Sequence, residues 1–326
     1  MRFRSATSEY PVYIVESGVA LPTYIQLLFR TDYFRAALNS KISGHSGRKR
    51  INPGELEEVE VPLPDTRVQR QIVERWQDSS DALAGSERKL QALVQAVDDE
   101  LRNQCSSSLA SILYGRQVVV RSRDLRRWDL KGARAARYRE THPPFVPLGD
   151  FVVDATELVN PAASPDKEWP VYGVNNKAGV FLSHAQLGRD FNASYKRIRK
   201  DWFFHNPTRA NVGSLGIVPD VPTDAITSPE YQVWRISEGL LPGYVAVLIA
   251  TPLFVELIQI HRVGAVKQRL FVDNLREMVV PSLSPSRQQE IASRRDEVLG
   301  EIQDCRQRLA EATAEVERVI TTGTVG

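Results

Sequence analysis

The stretch RINPGELEEVEVPLPDTRVQRQI, residues 50–72, returns 219 residues later as RLFVDNLREMVVPSLSPSRQQEI, residues 269–291. The two windows align without a gap and agree at seven of 23 positions: Arg50/Arg269, Leu56/Leu275, Glu58/Glu277, Val61/Val280, Pro62/Pro281, Gln69/Gln288 and Ile72/Ile291. Average composition would give about one or two chance identities. The common frame is an Arg, an aliphatic, a Leu, a Val-Pro ending, a polar turn, and Gln-x-x-Ile opening a helix. A chain that carries this junction twice builds the same local structure twice. The fold is therefore a duplicated module with an insertion between the copies.

The repeat continues upstream. TSEYPVYIV (7–15) matches TSPEYQVWRI (227–236) with one extra residue, Pro22-Thr23-Tyr24 matches Pro242-Gly243-Tyr244, and Phe34 matches Phe254. Each copy reads as a strand, a short helix, a basic loop, a strand ending in Val-Pro, and a long helix. Two copies of this length are too few for a solenoid, which needs about three or more units.

After the first junction, apolar residues fall at Ile72, Trp76, Leu83, Leu90, Val94, Val97, Leu101, Leu109 and Ile112. After the second they fall at Ile291, Val298, Ile302, Cys305, Leu309, Ala312, Val316 and Val319. Spacings of three, four and seven predict helices with a coiled-coil seam. Pro64 and Pro285 sit at the predicted starts and Gly323 past the second end. Ordinary amphipathic core helices would show similar spacing. Two of them behind the same junction favour an antiparallel pair within the chain, burying Leu90, Val97, Val298, Ile302 and Leu309.

Between the copies lies a region without an upstream counterpart. It opens on the basic segment RQVVVRSRDLRRWDLKGARAARYRE (116–140) and continues as short alternating runs broken by Pro, Gly and Asn. Such runs predict a mostly β insert. The second module thus has a β part, from about residue 145 to 236, and the first lacks one. At 326 residues the chain is long enough for two cores. Its 42% hydrophobic and 25% charged residues fit a globular protein, and the net charge of +2 does not by itself announce a nucleic-acid binder. No apolar run approaches the ~20 residues of a membrane span, and no signal-peptide pattern opens the chain, so a cytoplasmic location is expected. The two cysteines, Cys105 and Cys305, have no CxxC or His spacing, which argues against a disulfide framework or a zinc site. Five scattered histidines form no HExxH, and no nucleophile elbow, P-loop or GxGxxG is present. SPDKEW (164–169) sits in a Pro-rich turn and makes no nuclease core. No cofactor and no catalytic activity are expected.

In combination and order, YGVNNKAGVFL, the YK pair at 195–196, NPTRANVGSLG, TSPEY, the basic VGAVKQRL loop and VVP…QQEI before a helix resemble the specificity subunit of type I restriction-modification systems. The resemblance implies two target recognition domains, each followed by a long helix, with the helices paired as a spacer. It implies a subunit that performs no chemistry. It would read half-sites of double-stranded DNA and dock methyltransferase subunits, with a restriction nuclease or translocase as a further partner, in a restriction-modification or related anti-phage methylation complex. This chain departs from that pattern in its shortened first recognition domain, and a homodimer is one way to compensate. The expected fold is α+β: target recognition domains of mixed β-sheet and short helices, plus long helices forming an antiparallel coiled-coil spacer. The expected boundaries are 1–64 for the partial first domain, 65–115 for the first spacer helix, 116–283 for the complete second domain, and 284–326 for the second helix. The alternative is an interaction scaffold that docks partners through its coiled coil without reading DNA.

Candidate contacts follow from residue chemistry. Arg48, Lys49 and Arg50 cluster in a glycine-bounded loop, and the second copy places Arg262, Lys267, Gln268 and Arg269 at the same point. Such loops suit phosphate docking, and Arg or Lys also pairs with guanine; an isolated loop of this kind could equally be a solvated turn. Tyr172, Asn175, Asn176 and Lys177 fall in a turn, where Asn could meet adenine or simply supply hairpin geometry. Tyr195, Lys196 and Arg197, followed by Arg199 and Lys200, form a basic-aromatic strand suited to phosphate. Arg209 and Asn211 project from a small Gly-containing loop, as base contacts or as braces of that loop.

Overall fold

The structure, a computed structural model, describes residues 12–16, 18–40, 53–61, 63–105, 109–140 and 144–322. The class is α+β, as expected. The chain divides into two units, Met1–Arg88 with Val298–Gly326, and Lys89–Glu297. The division cuts through both long helices, so each contributes to both units. The boundaries expected from the sequence fall instead at helix ends.

In the first unit, α1 (Pro22–Leu28), α2 (Asp32–Ser40) and α3 (Pro53–Glu57) surround the start of α4 (Thr66–Asn103) and the end of α10 (Pro285–Thr322). Tyr24, Leu27, Leu28, Phe34, Ile72, Val73, Val316 and Val319 make its core. The expected strand at 12–15 is absent. Val12 is 77% and Ile14 96% exposed, and residues 12–16 carry no regular secondary structure. A strand needs a partner for its backbone groups, and the described residues of this unit contain none. The same reason accounts for Val61, which forms no strand although its counterpart does.

The second unit begins with the rest of α4, then α5 (Leu109–Tyr114) and α6 (Leu130–Arg139). The first long helix therefore ends at Asn103, short of the expected 115. The β insert follows: β1 (Phe145–Pro147), β2 (Val152–Asp154), β3 (Leu158–Val159), β4 (Glu168–Asn175), β5 (Gly179–Leu187), β6 (Tyr195–Arg197), β7 (Phe203–His205), β8 (Leu215–Ile217), β9 (Ile226–Thr227) and β10 (Gln232–Ile236). Then come α7 (Pro242–Leu248), α8 (Pro252–His261), α9 (Val272–Arg276), β11 (Val279–Pro281) and the first part of α10. The strands form three sheets: β1-β11, β2-β10-β7-β8 and β3-β6-β9-β4-β5. All pairs are antiparallel except β4 with β9. Here the repeated strand is β10, flanked by β2 and β7, and the repeated Val-Pro strand is β11, paired with β1. The insert supplies what the first copy lacks.

The repeat is carried by buried polar side chains. Thr31 Oγ1 donates to the Leu28 carbonyl (2.7 Å) and accepts the Phe34 amide (3.2 Å). Thr251 does the same with Leu248 and Phe254, at the same two distances. Gln69 Nε2 donates to the Pro64 carbonyl (2.8 Å) and Gln288 Nε2 to that of Leu283 (3.0 Å), so each pins the turn before its long helix. An acid at equivalent positions, Glu317 in the first unit and Asp98 in the second, accepts an amide at the start of α2 or α8. Each unit thus combines its own tail, the start of its own long helix and the end of the other. Within the first unit Arg75 meets Glu315 and Ser86 meets Glu301, so α4 and α10 run antiparallel there. Val97, Val298 and Ile302 are buried as expected, whereas Leu90 and Leu309 are half-buried.

Among the described residues no single helix is long and apolar enough to cross a membrane. The bent pair α7–α8 passes on composition, but it is bent by 79° and its apolar residues fill the core of the second unit.

Candidate nucleic-acid interface

Three loops of the second unit come together: the β4–β5 hairpin tip, the β7–β8 loop (206–214) and the α8–α9 loop (262–270). Their local folds follow from short polar side chains. Asn175 Oδ1 accepts the amides of Lys177 (2.8 Å) and Ala178 (2.7 Å), which closes the hairpin tip. Asn206 Oδ1 accepts the Thr208 amide (3.0 Å) and hydroxyl (2.8 Å), opening the second loop. Gly213, at φ 82°, ends that loop in a conformation side chains rarely adopt. A Cβ on it would lie 3.2 Å from Cβ of Asn176, so these two loops touch.

The third loop is closed by reciprocal Val263–Arg269 backbone bonds of 2.8 Å. It is joined to the second by the Leu270 amide on the Pro207 carbonyl (2.9 Å) and by Arg262, whose Nη2 donates to the Thr208 (3.3 Å) and Gln268 (2.8 Å) carbonyls. His205 anchors both. Its Nε2–H donates to the Leu270 carbonyl (2.9 Å) while Nδ1 accepts the Trp234 indole N–H (3.1 Å). The tautomer is fixed, because a carbonyl only accepts and an indole only donates. Burial pulls the His205 pKa down to about 4, against the upward pull of the Leu270 carbonyl. The imidazole is therefore neutral. Its role was invisible in the sequence, where the histidines are scattered.

The sequence candidates sort into two groups. Lys177, Arg209 and Lys267 are exposed and Arg269 half-exposed, and none has a side-chain partner among the described residues. Asn176 is exposed beside Lys177, and Asn211 is half-buried with its backbone carbonyl facing Gln259 (3.5 Å). Gln268 accepts from Lys131 Nζ (2.7 Å), a residue that the sequence candidates omitted. These residues share the loop cluster.

The second group is engaged within the fold. Asn175 closes its turn and Arg262 braces loops. Tyr172 is half-buried, its backbone carbonyl accepting from Thr227 Oγ1 (2.8 Å), and burial raises its pKa. Tyr195 packs edge-on against Phe191 at 4.8 Å. Lys196 donates to the Tyr231 carbonyl (2.6 Å), and burial lowers its pKa. Arg197 donates to the Thr223 carbonyl (2.9 Å) and lies 3.8 Å from Glu157. Arg199 pairs with Glu157 at 2.7 Å, while Lys200 is exposed. Arg48, Lys49 and Arg50 lie outside the described residues. Among the described residues no group of three or more His, Cys, Asp or Glu is placed to hold a metal.

No family model matches the chain, and no curated protein matches its sequence. Solved structures similar to it include the HsdS subunit from Thermoanaerobacter tengcongensis (17% identity, TM-score 0.30, covering 92% of this chain and 68% of that one). Another is the type I restriction-modification system S subunit from M. genitalium (12%, 0.40, 93% and 73%). A third belongs to a structure described as showing complex assembly and conformational transition of the type I R-M system (14%, 0.34, 92% and 69%). Similarity this distant transfers no residue role and no partner.

Proposed function

We propose that the chain is a non-catalytic, sequence-reading DNA-binding subunit of a type I restriction-modification or related methylation complex, with the loop cluster of the second unit as its half-site reader. One observation carries the reading: three separately folded loops, each braced by backbone-directed side chains, leave their cations and amides unspent on one surface. Lys177, Lys267 and Arg269 suit phosphate, which fixes register. Arg209, Asn176 and Asn211 have the geometry-bearing groups that read guanine and adenine edges. Three unpaired cations on phosphates give an expected slope of log affinity against log salt of roughly −2.7 from the loops alone. The test is fluorescence anisotropy of the full chain on mixed-sequence duplexes across salt concentrations. Steep salt dependence, weakened by Lys177→Ala and Lys267→Ala, supports the reading. Salt-independent or undetectable binding removes it.

The first unit favours a second, complementary role. Val12 and Ile14 stand exposed where the other copy has a central strand. We read the first unit as a shortened recognition module that docks partner subunits, the methyltransferase first and a second copy of the chain next. Size-exclusion chromatography with light scattering tests it: a monomer that gains no stability from added methyltransferase contradicts partner docking.

A further inference from the structure

The basic connector between α5 and α6 lies outside the three loops, yet its arginines and those of α6 divide sharply by what they touch. Three tie down backbone. Arg134 Nη2 donates to the Gly115 carbonyl (3.1 Å), Arg139 Nη2 to that of Asp124 (3.2 Å), and Arg127 to those of Ile260 (2.7 Å) and His261 (3.2 Å). These contacts hold an irregular segment, with only a 3-10 turn at Ser122–Asp124, at its start, middle and end. Arg137 pairs with Glu140 (2.7 Å), whereas Arg116, Arg121, Arg123 and Arg126 are exposed and their side chains have no hydrogen bond or ion pair among the described residues. Beside them Trp128 is 82% exposed, an indole left in water where most such rings find cover.

The connector also adjoins the candidate interface. Lys131, in the first turn of α6, donates to Gln268 Oε1 (2.7 Å) and lies 3.4 Å from the Arg262 carbonyl, both in the α8–α9 loop. Arg127 grips the residues just before that loop. Exposed cations interleaved with an exposed aromatic, fixed to the rim of a basic loop cluster, match a polyanion with stacked or groove-lining faces. They do not match an acidic peptide, which would not account for the indole.

We propose that residues 116–131 form a second DNA contact surface that extends the duplex footprint beyond the half-site. Arg121, Arg123 and Arg126 lie on backbone phosphates, and Trp128 packs against sugar or base faces in the adjoining groove. This rests on the DNA-reading proposal above and adds residues that contribute affinity without sequence preference.

The test uses the full chain with Arg121→Gln, Arg123→Gln and Arg126→Gln combined, all exposed positions, so thermal unfolding should stay unchanged. Three lost phosphate contacts should flatten the salt slope by about 2.7 and shorten the nuclease-protected region on one side. The preferred sequence should remain the same. Trp128 emission should be quenched by duplex in the wild type, and Trp128→Phe should remove that component of the quench. A wild type that binds duplex while the triple variant keeps slope and footprint overturns the connector proposal alone. A wild type that binds no duplex sinks both proposals together.

Discussion

Two buried histidines make the second unit acid-sensitive in a window above the carboxylate range. His205, at the end of β7, ties Leu270 of the α8–α9 loop to Trp234 of β10 through its two ring nitrogens. His261 donates from Nδ1 to the Leu257 carbonyl (2.8 Å) and faces Arg126, Arg127 and Arg139, with Glu277 lining the same small recess. Burial holds both pKa values near about 4, below the ordinary 6.5. A lowered folded-state value means that the unfolded chain binds more protons below 6.5. Stability from each group is therefore complete above that pH and is lost as pH falls from 6.5 toward 4. Between about pH 7 and pH 5, each histidine should cost about 2 kcal/mol of folding free energy, and the pair about 4. Protonating Nδ1 of His205 would also set two donors, imidazolium and indole, against each other. Urea unfolding at the two pH values, followed through the second unit, measures the loss, and NMR titration of the imidazole Cε1–H signals assigns it. Stability that is flat across this window, or both histidines titrating near 6.5, would refute the reasoning.

Other expectations follow from the same geometry. Gln69→Ala breaks bonds to Leu21, Val19 and Pro64 in a buried site and should cost about 1–3 kcal/mol in equilibrium unfolding, with Gln288→Ala in the same range. Leu101→Ala, at a fully buried position in the second core, should cost about 2–5 kcal/mol, and half-buried Leu309→Ala clearly less in the same assay. Arg197→Gln should lower thermal stability yet leave the DNA sequence profile unchanged, because its guanidinium is spent on the Thr223 carbonyl. Arg209→Ala should do the reverse, costing about 1–3 kcal/mol at one base position in competition binding.

The duplicated frame was legible because its conserved elements act locally. A buried Gln pinning the turn before each long helix leaves a fixed spacing. Val97, Val298 and Ile302 are legible as buried positions for the same reason. The failed strand at 12–15 shows the limit of local pattern: alternation gives the propensity, but a ladder needs neighbours, and only the second copy has β2 and β7. The site was half legible. Basic residues near turns are visible in the sequence, yet nothing local separates Arg209, whose side chain has no partner among the described residues, from Arg197, whose carbonyl partner lies 26 residues on. His205 was missed because its partners, Trp234 and Leu270, are remote in sequence.

The central claim is that the loop cluster of the second unit reads duplex sequence. Its most direct measurement is selection of bound duplexes from a random-sequence pool by the full chain, repeated with Arg209→Ala. The account predicts one enriched half-site for the wild type and the same half-site with relaxed choice at a single position for the variant. A pool that emerges unenriched, or an identical motif from both proteins, would contradict it.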